Sequence, residues 1–165
     1  MPLVVFDATL LATATAFAGS SYRAWPDIPP VTSNAESDCV GIIAGAHRHG
    51  GDFGLVVSRA LLVQVEAVLG SAIGLRPRDI DAYLSALIEF SRRSGGRIVK
   101  DPPASGDQSP HLDAPLALAS RNAAVVVAAH RDLLTLGPRW GPGRIPILGP
   151  REFSIRVDAV RRARS

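Results

Sequence analysis

Apolar residues in this chain follow two rhythms. Leu3-Val4-Val5-Phe6, Gly54-Leu55-Val56-Val57 and Val125-Val126-Val127 are short unbroken runs without polar alternation. Such runs predict strands buried on both faces, the habit of a parallel sheet. The second rhythm is helical: Leu61, Leu62, Val65, Val68 and Leu69 form one stripe, and Ile80, Tyr83, Leu84, Leu87 and Ile88 another. Stripes of this spacing predict helices with one face on a core.

Punctuation between the runs completes the outline. Ala8 to Phe17 is rich in Ala, Leu and Thr and predicts a helix stopped by Gly19-Ser20-Ser21; residues 20–33, with Pro26, Pro29 and Pro30, predict a loop. Ser33 followed by Glu36 reads as a capping box that opens a helix through Ala46, closed by Gly50-Gly51. Ser58 is placed to cap the helix after the second strand, and Arg76-Pro77-Arg78-Asp79 starts the next, which Gly95-Gly96 ends. Arg97-Ile98-Val99 predicts a short strand, and residues 101–111 a polar loop delivering Asp113 to a helix over Ala114 to Ser120. Arg131 to Leu134 reads as a helical turn or two, and Gly141 to Gly149 as a turn-rich segment whose Ile145 and Ile147-Leu148 form an edge strand. Strands alternating with helices predict an α/β fold of three layers, a mainly parallel central sheet flanked by helices.

A length of 165 residues, 47% hydrophobic and 20% charged, fits one folded domain, read as residues 1–155 with 156–165 as a basic tail or helix end. Cys39, the single cysteine, allows no internal disulfide and no cysteine-based zinc cage, and beside Val40, Ile42 and Ile43 it reads as a buried small hydrophobe. The apolar start, with Ala16-Phe17-Ala18, has the look of a leader, but no Lys or Arg precedes Tyr22 and Asp7 interrupts the run. A cytoplasmic location is therefore expected, and no run reaches the roughly 18 apolar residues of a membrane span. The net charge of +3 and pI near 9.7 permit phosphate binding without demanding it. Arg156, Arg161, Arg162 and Arg164 suit a helical basic stripe or an unfolded tail.

Chemistry-bearing residues fall where ligands gather in open α/β sheets, outside the carboxyl ends of strands. Asp7 ends the first strand, His130 and Asp132 follow Val125-Val126-Val127, and Asp113 heads its helix, so the topology directs all four toward one edge. Each also has a plainer reading: Asp7, Asp113, Thr9 and Ser58 suit helix caps, and His130 suits a polar residue bonded near a strand end. His47, His49 and Asp52 fall within six residues, but a spacing of two turns the rings apart, so a surface loop is the preferred reading.

Five segments in order resemble the PIN-domain family: Val4-Val5-Phe6-Asp7-Ala8-Thr9, Val56-Val57-Ser58 leading to Gln64, Asp113-Ala114-Pro115-Leu116-Ala117, Val125-Val126-Val127 through Asp132, and Ile147-Leu148-Gly149-Pro150-Arg151-Glu152-Phe153. The resemblance implies a metal-dependent endoribonuclease, the toxin component of a toxin-antitoxin pair. RNA would be its substrate, a small antitoxin protein its restraining partner, and a homodimer its assembly. It implies Asp7, Asp113 and Asp132 as catalytic residues, Asp7, Asp113 and His130 as ligands of Mg²⁺ or Mn²⁺, support from Thr9, Ser58 and Gln64, and an RNA contact by Arg131. A dimer would leave an apolar patch on a helix such as 79–90.

Two positions depart from the family pattern. Gln64 stands where a Glu is usual and His130 where an Asp or Asn is usual. Glu66 does not substitute for the former, because two residues along a helix turn it about 200° away. An amide brings no charge, and an imidazole is a softer ligand that favours Mn²⁺ or Zn²⁺. A catalytically weak or inactive PIN-type module for binding RNA or protein is therefore the alternative. A small-molecule α/β enzyme is disfavoured, since neither common Gly-rich phosphate loop is present.

Overall fold

Each buried run becomes a strand, and the order of those strands decides where a site can form. The computed structural model describes residues 2–18, 34–44, 53–100 and 110–164. In chain order the elements are β1 (Leu3–Phe6), α1 (Ala8–Ala18), α2 (Ala35–Ala44), β2 (Gly54–Ser58), α3 (Arg59–Val68), a π-helical turn (Leu69–Ile73), α4 (Pro77–Arg93), β3 (Arg97–Val99), α5 (Pro110–Asn122), β4 (Val125–Val127), α6 (Arg131–Leu134), β5 (Arg139–Trp140), β6 (Ile145–Leu148) and α7 (Pro150–Arg164). The sheet order is β3-β2-β1-β4-β6-β5, parallel throughout except for β5 against β6. This is the expected flanked, mainly parallel α/β sheet.

From β1 the chain moves outward to β2 and β3, then returns past β1 to β4 and β6. Right-handed crossovers in opposite directions put their helices on opposite faces. The direction reverses between β1 and β4, where Val4, Val5 and Phe6 pair with Val125, Val126 and Val127. A crevice opens at such a reversal, outside the strand ends. Asp7 and the residues after Val127 lie there.

Burial fits these roles. Val4, Val5, Phe6, Val56, Val57, Val126 and Val127 are fully buried, and α1 sinks Leu10, Leu11, Ala12, Ala14 and Thr15 against α2 and α3. On α4 the predicted stripe holds through Ile80, Tyr83 and Leu87, and the Tyr83 hydroxyl donates to Leu11 O at 2.6 Å. Cys39 is buried as expected, its thiol pushed up to about 12 by burial.

Three expectations need correction. Asn34 caps α2, its Oδ1 accepting from Ser37 N at 2.8 Å, so the helix starts at Ala35; Ser33 lies outside the described residues. Helix α5 begins at Pro110 rather than Ala114. A proline suits the first turn, where its missing N–H leaves nothing unpaired, and Asp113 thus falls inside that turn instead of before it. Strand β6 is not an edge: Gly141 and Arg144, both at positive φ, reverse the chain so that Arg139–Trp140 pairs outside it. Of the two readings of residues 156–165, the helical one holds: the segment continues α7, whose Phe153 and Val157 are buried. Phe153 meets Phe6 edge-on at 5.6 Å. The loop 20–33 and the His47, His49 and Asp52 cluster lie outside the described residues.

Candidate functional site

Asp7 follows β1 directly, and the next residue starts α1. Its side chain is 1% exposed. Oδ1 accepts from Leu10 N at 2.7 Å, capping α1, and from Ala129 N at 3.3 Å. Oδ2 accepts from His130 N at 2.9 Å. One carboxylate thus ties the first helix to the turn after β4. Burial pushes its pKa above the ordinary value; the amides of His130, Leu10 and Ala129 act in the opposite direction without cancelling that effect. A costly ionisable group at the mouth of a sheet is a mark of function.

The mouth is a pocket of about 500 Å³ lined by Asp7, Ala8, Thr9, Gln64, Ala67, Val68 and His130. Four residues selected from the sequence, Asp7, Thr9, Gln64 and His130, therefore meet there. Asp113 is buried in the first turn of α5 and is not among the pocket's lining residues. Ser58 is also absent from the lining; its Oγ caps α3 by accepting from Leu61 N at 3.3 Å. Arg131 and Asp132 are exposed on α6, and the Asp132 carboxylate lies 3.9 Å from His130 Nδ1. Glu66 faces a separate cavity between α3 and α4 with Pro77, Ile80 and Asp81, as its helical phase requires.

His130 caps α6, its Nδ1 accepting from Asp132 N at 3.1 Å. An accepting Nδ1 carries no proton, so the neutral ring carries it on Nε2. Among the described residues no three His, Cys, Asp or Glu side chains form a group fit to hold a metal ion.

Oxygen donors remain. Asp7 Oδ2 accepts one amide and has room for a second partner, and the Gln64 side chain brings a neutral carbonyl to the same pocket. Mg²⁺ is commonly held by one or two carboxylates, with waters and substrate phosphate completing its shell. The donor set fits a cation of that kind held with its substrate.

No protein-family model matches this chain, and no curated protein does. The fold is shared with solved structures. The crystal structure of PAE2754 from Pyrobaculum aerophilum superposes with a TM-score of 0.51 at 14% identity, covering 96% of this chain and 98% of that one. At such identity the likeness concerns the fold alone.

The sequence did not reveal the amides of Ala129 and His130 as partners of Asp7. Their only signal was position, just beyond the strand that pairs with β1. On residues 79–90, the helix named for a dimer patch, Leu84 and Ile88 are half-buried, and the large exposed hydrophobics among the described residues are Val63, Ile98, Leu134, Ile155 and Val160. The outer face of α4 presents Asp81, Ser85, Glu89, Arg92 and Arg93. Among the described residues no helix is long and apolar enough to cross a membrane.

Proposed function

We propose that this protein is a PIN-type ribonuclease of low intrinsic metal affinity, acting on RNA with Mg²⁺ or Mn²⁺ as its cofactor. The observation that carries this reading is the buried Asp7, held by three backbone amides at the floor of a pocket at the topological switch point. A divalent ion there supplies charge neutralisation for the phosphodiester and an activated water. Asp7 would hold the ion through Oδ2 while Oδ1 keeps α1 in place. Gln64 would orient by hydrogen bonding, contributing no charge. Thr9 offers a hydroxyl from the first turn of α1, and Arg131, exposed beside His130, is placed to meet a flanking phosphate. Asp113 and Asp132 are assigned supporting roles outside the pocket lining. A toxin role, a small antitoxin partner and a homodimer remain part of this proposal through the family resemblance alone.

A second reading has its own support. The absence of a three-ligand group among the described residues, with His130 committed to a cap, favours a catalytically weak PIN-type module that binds RNA or protein. One experiment separates the two: cleavage of a single-stranded oligoribonucleotide across a Mg²⁺ and Mn²⁺ titration. The nuclease reading expects slow, metal-dependent cleavage by the wild type. Gln64→Glu, which adds a charged oxygen beside Asp7, should tighten the metal requirement about tenfold. If neither protein cuts RNA or binds a divalent ion while both stay folded by circular dichroism, the module reading replaces the nuclease.

A further inference from the structure

The geometry points to His130 as a substrate-contacting residue whose Nε2–H donates to a phosphodiester oxygen of RNA held in the Asp7 pocket. This inference rests on the reading of that pocket as the RNA site. Three observations support it. His130 lines the pocket with Asp7, Thr9 and Gln64. Its ring is oriented from one side, because Nδ1 accepts from Asp132 N at 3.1 Å. Its backbone is fixed as well, since His130 N donates to Asp7 Oδ2 at 2.9 Å.

A ring held at Nδ1 presents Nε2 as its other polar atom, and in this tautomer Nε2 is a donor. Donors suit phosphate oxygens, which carry the charge of RNA. The bond that holds Nδ1 to the cap therefore orients the ring for a contact with the substrate. With the side chain 33% exposed, a ligand can reach it without unfolding α6. Asp7 anchors the cation and the histidine the anion, so the two sides of the pocket carry opposite tasks.

Two substitutions divide the ring's functions. The amide of Asn sits near the place of Nδ1 and preserves the cap, but does not extend to Nε2; the amide of Gln reaches Nε2 but caps poorly. Binding of an oligoribonucleotide in EDTA, which withholds the divalent ion that cleavage requires, is measured for wild type, His130→Asn and His130→Gln, with Mg²⁺ affinity and thermal midpoint measured separately. His130→Asn should bind the oligonucleotide about tenfold more weakly, the loss of one charge-assisted hydrogen bond, with Mg²⁺ affinity and midpoint unchanged. His130→Gln should retain oligonucleotide binding and melt a few degrees lower, by about the worth of a cap. Weaker Mg²⁺ binding by His130→Asn, without loss of RNA affinity, would overturn the assignment in favour of a metal ligand. Unchanged RNA affinity with unchanged Mg²⁺ affinity would reduce His130 to a cap. Since the probe is never cut, a protein without nuclease activity still gives a valid answer. Wild type that binds no RNA at all would instead overturn the reading of the pocket.

Discussion

Two places in this sheet are welded by polar side chains, and they use different chemistry. At Leu55 in β2, the Ser94 hydroxyl accepts from Leu55 N at 2.9 Å and the Ser91 hydroxyl donates to Leu55 O at 2.7 Å. Gly54 N turns to Pro2 O on the β1 side, so Leu55 faces the other way, toward the sheet position just before β3 starts at Arg97. Ser91 of α4 and Ser94, which follows its last residue, thereby stand in for a missing stretch of strand. Ser91, Ser94 and Leu55 are all buried, and every partner is neutral. At the end of β1 the same kind of weld is made by Asp7, whose carboxylate gathers Leu10, Ala129 and His130.

A hydroxyl weld is cheap to bury, whereas a carboxylate weld is penalised by desolvation. The serines show that this fold can satisfy buried backbone with neutral groups. Charge at Asp7 thus exceeds what the local structure requires, and it opens on a pocket while the serines are sealed. Buried rule-breaking of this kind concentrates at functional sites.

The largest expected effect lies in the sealed weld. A methyl group on Gly96 would stand 1.9 Å from Leu55 O, so Gly96→Ala must displace the β2 to β3 junction and should lose more than about 4 kcal/mol in urea unfolding. Asp7→Ala comes next. It leaves three amides without their acceptor, so a loss of about 2–4 kcal/mol is expected, together with loss of metal-dependent RNA cleavage. Stability lost while cleavage persists would make Asp7 a weld like the serines and would end the contrast. Ser91→Ala should remove about 1–2 kcal/mol and leave cleavage per folded molecule unchanged.

The smallest effect is the sharpest test of the charge itself. Asp7 has a folded pKa above its ordinary value of 3.8, so in the interval between the two the folded state binds more protons than the unfolded. Stability from this group is then greatest at low pH and declines as pH rises through the folded pKa. Measured without divalent ions, wild type should gain on Asp7→Asn as pH falls from neutral toward 3.8. The difference between wild type and Ser91→Ala should stay flat, since a hydroxyl does not titrate in this range. A wild-type advantage over Asp7→Asn that grows with pH would show that the amides outweigh burial.

Much of this molecule was legible one segment at a time. The unbroken runs Val4-Val5-Phe6 and Val125-Val126-Val127 signal buried parallel strands because only a strand covered on both faces dispenses with polar alternation. Ser58 was recognisable as a cap because its partner, Leu61 N, is three residues away. Asp7 was recognisable as the acid at a strand end, and its cap on Leu10 is equally local. Information of this range survives in the chain itself, since capping and periodicity depend on neighbours within a turn.

What the tertiary structure alone decided involves longer loops. Asp7 and Ala129 are separated by 122 residues, and their bond depends on β1 and β4 becoming neighbours in register. Gln64 reaches the same pocket only because α3 packs beside α1, and Asp113 is absent from its lining although both were assigned to one site from order along the chain. The stand-in role of Ser91 and Ser94 depends likewise on where β3 begins. Hydrophobic pattern specifies which face of an element is buried, but it is indifferent to which polar group meets which at the ends of the strands. Those meetings follow from strand order and register, which the chain settles only when the whole sheet closes.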